Sequence, residues 1–339
     1  MQFYPLITSK VKIARGVLLV YWTGKKRTPE SVIGPFLIEY AVYRILIMAP
    51  VSNLNQNTQS ELLIPISVNN QDPAKEDTEV FRNYEALDEN STVTQFYKAQ
   101  HEQVTLDYVL DAKKRFYSFN HAKHTIMDLF AASDQIVDES DPDLHLSQLH
   151  HAIQTAERAR KLYPQPEYDW FWFTAFIHDL GKILTLFGEP QWGVVGDSFP
   201  VGCAFDKTNV FHNYFAKNPD NGKYDAIGIY SEHCGFDALH FSFGHDDYLS
   251  RVLEHNGHNL PYEALYCIRY HSFYPWHKHG GYAHFANERD VKLRPLLQKF
   301  QSCDLYSKDD GNVLDYTELE QFYRGLADKY VGLGKVLEI

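Results

Sequence analysis

Cysteine is scarce in this chain, and what there is follows no redox or zinc-ribbon spacing. Cys203, Cys234, Cys267 and Cys303 form no C-x-x-C pair. A chain of 339 residues has core enough to fold without cross-links, so reduced, packed thiols in a cytosolic protein are expected. Positive charge is also in short supply. Thirty-two Lys and Arg stand against 44 Asp and Glu, a net charge of −12. Such a field repels nucleic acid and anionic lipid and offers polyphosphates no general attraction. Long apolar runs are missing as well. Gly16 to Trp22 is seven residues long, too short for a membrane span, and lacks a small-residue cleavage site. Val32 to Val51 is longer but contains Pro35, Glu39 and Arg44. Each central charge costs about 2.5–3.5 kcal/mol on insertion, which argues against a span. A peripheral helix, or no settled fold, is expected in this part of the chain. Internal repeats and low-complexity tracts are absent.

Aromatic residues are plentiful at 15%, and there are 17 histidines. Residues 56–77 are rich in Asn, Gln, Asp, Glu and Ser and read as a polar linker. The expected organisation is an N-terminal extension over 1–55, a linker over 56–77 and a catalytic domain over 78–339. From there helical periodicity dominates: Thr92 to Arg115, His124 to Val137, Ser147 to Tyr163, Phe236 to Glu254, Tyr262 to His271 and Val291 to Tyr306. Strand signals are few, so the fold class expected is all-α. The acidic stretch Asp138-Glu-Ser-Asp-Pro-Asp reads as a turn-rich loop. Gly188 to Gly202 holds six Gly and Pro residues and reads as a shaped loop carried by rigid helices.

One segment is apolar almost all the way round, Asp169-Trp-Phe-Trp-Phe-Thr-Ala-Phe-Ile, with Asp169 as its expected N-cap. It leads directly into His178-Asp179-Leu-Gly-Lys182. Burying an imidazole and a carboxylate unpaired costs about 2–7 kcal/mol per polar group, and more for a charge. A metal cation removes that difficulty, since both are its ligands. Further candidates are His151, His245, His271 and Asp304, each on or at the end of a different helix. A histidine, a His-Asp pair and a late aspartate form the metal pattern of HD-domain proteins. Two more histidines between pair and aspartate suggest a second metal, with one carboxylate bridging both. The architecture expected is an HD-domain-like helical bundle around a dinuclear metal site.

Several longer stretches sharpen this: Phe81-Arg-Asn-Tyr, His151-Ala-Ile-Gln-Thr-Ala-Glu, Gly188-Glu-Pro-Gln-Trp, Gly196-Asp-Ser-Phe-Pro-Val-Gly-Cys, Gly244-His-Asp-Asp-Tyr and His271-Ser-Phe-Tyr-Pro-Trp-His. In these the chain resembles the myo-inositol oxygenases from about Phe81 onward. Nothing in the first 80 residues does. The resemblance implies a cytoplasmic, monomeric enzyme that opens the ring of myo-inositol with O2 to give D-glucuronate. Its implied cofactors are two iron ions, mixed-valent Fe(II)/Fe(III) in the active form, with O2 as co-substrate. The implied ligands are His151, His178, Asp179 and Asp304 for one iron, and His245 and His271 for the other, with Asp179 bridging. Implied substrate contacts are Arg82, Asp138, Glu139, Ser140, Lys182, Gly196, Asp197 and Ser272, with Lys182 and Asp179 in the chemistry. Tyr97 matches an aromatic position near the active-site mouth. The rival readings are a metal-dependent HD-domain phosphohydrolase and a non-catalytic ligand-binding protein of the same fold.

Overall fold

The structure is a computed structural model and describes residues 8–14, 17–23, 88–140, 147–306 and 315–339. Contacts divide the chain into two units, Met1–Gln59 and Ser60–Ile339. In the first, Thr8–Ala14 (β1) and Val17–Thr23 (β2) pair antiparallel, Thr8 opposite Thr23 and Ala14 opposite Val17. The short apolar run from Gly16, too short for a membrane span, is strand from Val17 to Thr23. Its valines and aromatics suit a pleated surface better than a helix. Val32 to Val51, the expected linker 56–77 and the boundary near residue 78 lie outside the described residues.

The second unit is all-α around an aromatic core. Thr92–Gln103 (α1) and Leu106–Phe116 (α2) replace the single helix that the periodicity of Thr92 to Arg115 suggests. The break at Val104 and Thr105 is capped from both sides. Asn218 Nδ2 donates to the carbonyls of His101 and Val104 at 2.7 and 2.9 Å, and Asp220 accepts from Leu106 N–H at 2.8 Å. Those bonds satisfy helix-end groups that a continuous helix would have paired internally. Lys123–His124 (β3) pairs with Leu337–Glu338 (β4), so the next helix runs only over Ile126–Ser133 (α3), with a Thr125–Asp128 capping box.

Gln148–Leu162 (α4) starts where expected, with Ser147 Oγ accepting from His150 N–H. Asp169–Ile177 (α5) packs along it, and every residue from Trp170 to Ile177 is buried. Asp169 does not cap this helix. Tyr168 occupies the cap position, and the Asp169 carboxylate accepts instead from Lys329 and Tyr330. A charged and a phenolic donor from the last helix outbid the backbone amides for it. A 3-10 run, Leu180–Phe187, follows.

His245–Asn256 (α6) begins nine residues later than the apolar pattern from Phe236 predicts, because Gly244 holds an extended backbone (φ −126°, ψ 171°). Tyr262–Tyr270 (α7), the short Tyr274–His277 (α8), Glu288–Tyr306 (α9) and Tyr316–Tyr330 (α10) complete the bundle. α9 packs on α4 and α7, and α5 packs on α7 and α10. Among the described residues no helix is long and apolar enough to cross a membrane.

One close approach fixes where α6 enters. A Cβ on Gly181 would stand 1.9 Å from the His245 carbonyl oxygen and 2.6 Å from its carbon. Only a glycine lets these two backbones touch. Gly181→Ala is expected to cost about 1–3 kcal/mol through overpacking, read by denaturant unfolding. A variant as stable as the parent would contradict the contact.

Candidate metal centre

Six side chains meet where α4, α5, α6, α7 and α9 converge. His151 lies in the first turn and a half of α4, and Asp304 near the end of α9. His178 and His271 are the C-caps of α5 and α7, and His245 is the first residue of α6. The four imidazoles are each at most 6% exposed.

Three of the rings are held by backbone carbonyls through Nδ1. His178 bonds to Ala175 O at 2.8 Å, His271 to Ile268 O at 2.7 Å and His245 to Val194 O at 2.8 Å. A carbonyl only accepts, so each Nδ1 carries the proton and each Nε2 presents a lone pair. Those lone pairs point inward. His245 Nε2 and His271 Nε2 stand 3.1 Å apart, and His178 Nε2 is buried with no hydrogen-bond partner. Two facing lone pairs repel, and an orphaned buried nitrogen costs about 1–3 kcal/mol. A cation between them relieves both, so the residues fit a metal.

The carboxylates complete two groups. Asp304 Oδ1 lies 3.1 Å from His151 Nε2 and 3.5 Å from His178 Nε2. Asp179 Oδ2 lies 3.7 Å from His151 and 3.5 Å from His178, whereas its Oδ1 faces His245 at 3.3 Å and His271 at 3.8 Å. Ligand atoms about 2.0–2.2 Å from one ion stand roughly 3–3.5 Å apart, close to these spacings. His151, His178 and Asp179 form one potential metal group, and Asp179, His245 and His271 the other. Nitrogen and oxygen donors without thiolate suit iron or manganese.

Burial alone would raise the pKa of Asp179, yet the Lys182 ammonium that donates to it holds it well below the usual carboxylate range. For Asp304 the same burial is outweighed by the bond from His151 Nε2. Both are therefore ionised and ready to bind a cation.

Beside this centre, Lys182 Nζ donates to Asp179 Oδ2 at 2.8 Å and pairs with Asp138 Oδ2 at 2.9 Å. Asp138 also accepts from the Ser140 amide at 2.8 Å and hydroxyl at 2.5 Å. Asp197, on the Gly/Pro loop, accepts from Tyr97 OH at 3.0 Å. Gly196 before it has φ +79°, and a Cβ there would meet Phe96 at 2.6 Å. Ser198 N–H donates to Ser272 O at 2.9 Å, which ties that loop to the residue following His271. Glu139 is exposed, and Arg82 lies outside the described residues.

Several groups escaped the sequence reading. Glu189 anchors the Gly/Pro loop through Tyr108 OH at 2.5 Å and Arg115 Nη1 at 2.6 Å. Gln100 donates to the carbonyls of Val195 and Asp197 on either side of Gly196. Asp246 is buried beside His245 with one oxygen unpartnered, and burial pushes its pKa up. Trp276 and Phe273 pack on Phe236 in the core.

The family model for myo-inositol oxygenase matches residues 90–338, a span that contains all six convergent side chains. The chain belongs to that family. It is 46% identical over 260 residues to "Inositol oxygenase 5" of Arabidopsis thaliana, covering 74% of this chain and 81% of that protein. It is 44% identical over 261 residues to the inositol oxygenase of Danio rerio (76% and 92%) and 42% identical over 261 to that of Dictyostelium discoideum (75% and 88%). Membership makes the protein an oxidoreductase. Phe81-Arg-Asn-Tyr falls before the first residue matched by the family model.

The Lys182–Asp138 pair has a definite pH signature. Burial opposes the charge on Lys182, but Asp138 and Asp179 outweigh it and raise its pKa. Asp138 is held below its ordinary 3.8, Lys182 outweighing burial. A depressed carboxylate stabilises the fold above about pH 4 and loses that contribution as pH falls through its folded-state pKa; the raised Lys182 keeps its own until strongly alkaline pH. Asp138→Asn is expected to cost about 2 kcal/mol at neutral pH. The gap from the parent should stay flat from about pH 6 to 9 and close in acid. A gap that widens in acid, measured by unfolding across pH, would contradict the pairing.

Proposed function

We propose that the protein is a di-iron inositol oxygenase that opens the ring of myo-inositol with O2 to give D-glucuronate. The observation that supports it most is the division of Asp179, one oxygen toward His151 and His178 and the other toward His245 and His271. His151, His178 and Asp304 would complete one iron site, and His245 and His271 the other. Two irons held there supply redox chemistry toward dioxygen and Lewis acidity toward a substrate hydroxyl.

The remaining work falls to this chain's own groups. Myo-inositol is a neutral hexaol, so its pocket needs acceptors and donors at fixed places. Asp138 and Asp197 accept, and Ser272, Lys182 and Arg82 donate, with Ser140, Glu139 and the Gly196 backbone beside them. Lys182 is positioned to stabilise the negative charge on a substrate hydroxyl as its proton leaves. The paired carboxylates keep Lys182 protonated for that role. Four free thiols support a reducing, cytoplasmic setting, and we take the enzyme as monomeric.

A phosphohydrolase reading shares the metal ligands but needs cations for its phosphate. In the described centre the cation at hand is Lys182, which already serves two carboxylates. A non-catalytic reading fits poorly with six ligands all aimed inward.

Purified protein given Fe(II), myo-inositol and air is expected to consume oxygen and release uronic acid, and to stop under anaerobic conditions. Turnover of a phosphate ester without oxygen would overturn the proposal. His245→Ala is expected to abolish oxygen uptake while leaving the unfolding transition intact. Retained activity with one iron per chain would contradict a dinuclear centre.

A further inference from the structure

The turn Gln191–Gly193 lies within the Gly/Pro loop. At its far end the Val194 carbonyl accepts both the backbone N–H and the Nδ1–H of His245, each at 2.8 Å. At its near end the Gln191 side chain reaches the other way. Its Nε2 donates to the Val137 carbonyl at 2.7 Å, and its Oε1 accepts from Glu139 N–H at 3.3 Å. Those two peptide groups flank Asp138, the carboxylate paired with Lys182.

We propose that Gln191 is a positioning residue, clamping the backbone on both sides of Asp138 so that this carboxylate faces inositol in register with His245. The role rests on the reading of Asp138 as an inositol contact. Packing does not do this work. Ile136 is buried, but Val137 is 68% exposed, and an open groove of about 530 Å³ runs beside the segment, lined by Val137, Glu139, Leu186 and Gln191. A primary amide offers an acceptor and a donor from one planar group; a carboxylate lacks the donor and leucine lacks both. The turn itself does not need the side chain. Gln191 O accepts from Val194 and Val195 N–H at 2.9 and 3.0 Å, and Glu189 anchors the chain just before it. Removing the amide should therefore release the backbone on both sides of Asp138, leaving its carboxylate held by Lys182 and Ser140 alone, and leave His245 in place.

The test compares iron-loaded parent, Gln191→Leu and Gln191→Glu. Four quantities are read: KM and kcat for myo-inositol, its anaerobic Kd by calorimetry, bound iron per chain, and hydrogen exchange at the Glu139 amide. Gln191→Leu is expected to raise KM and Kd about tenfold, lower kcat less than about threefold and leave bound iron unchanged. Glu139 exchange should accelerate in that variant. Gln191→Glu keeps the acceptor for Glu139 N–H and should fall between the two. An unchanged Kd, unchanged Glu139 exchange, or a loss of iron in place of a change in Kd would overturn the role. A parent that binds no myo-inositol would remove the pocket reading and this role with it, even where Glu139 exchange shows the clamp to exist.

Discussion

The structure depends on one constraint: buried imidazole nitrogens whose lone pairs are forced to face one another. Ala175, Ile268 and Val194 carbonyls take the Nδ1 protons of His178, His271 and His245, which turns every Nε2 toward Asp179 and Asp304. Without a cation this arrangement leaves buried polar atoms unpaired at about 1–3 kcal/mol each and sets two nitrogens against each other. With cations the same atoms become ligands. The centre is thus preorganised at the expense of the metal-free fold, as metal sites built into stable scaffolds commonly are.

That preorganisation comes from backbone rather than side chains, and this makes it stiff. His178 and His271 each bond to a carbonyl three residues back, the position a helix C-terminus leaves free. His245 is held differently, by a loop carbonyl and by the contact of its own carbonyl with Gly181. The His-Asp-Leu-Gly-Lys stretch therefore acts three times over. It supplies two ligands, the glycine that admits α6, and the ammonium that Asp138 and Asp179 hold beside the centre.

Much of this was legible in the sequence because it is local. The wholly apolar run to Ile177 marks a core helix, Ser147 marks a helix start, and the histidines and aspartates on five helices mark the candidate metal ligands that the structure brings together. What could not be read depends on partners distant in sequence. Asp169 looks like a cap until Lys329 and Tyr330 arrive. The periodicity of Thr92 to Arg115 hides a break that Asn218 and Asp220 fill from more than 100 residues away. Glu189 and Gln191 stand in the Gly188-Glu-Pro-Gln-Trp stretch, but their roles show only when the loop closes on residues 137–139 and on α2. In the N-terminal unit, Val17 to Thr23 shows how a short apolar run leaves helix and strand undecided until its partner strand is seen.

Anomalous scattering at the iron edge from crystals of the iron-loaded protein addresses the shared carboxylate most directly. Two peaks are expected, one among His151, His178 and Asp304 and one beside His245 and His271, each against a different oxygen of Asp179. A single peak, or a second one away from Asp179, would contradict a carboxylate shared between two cations.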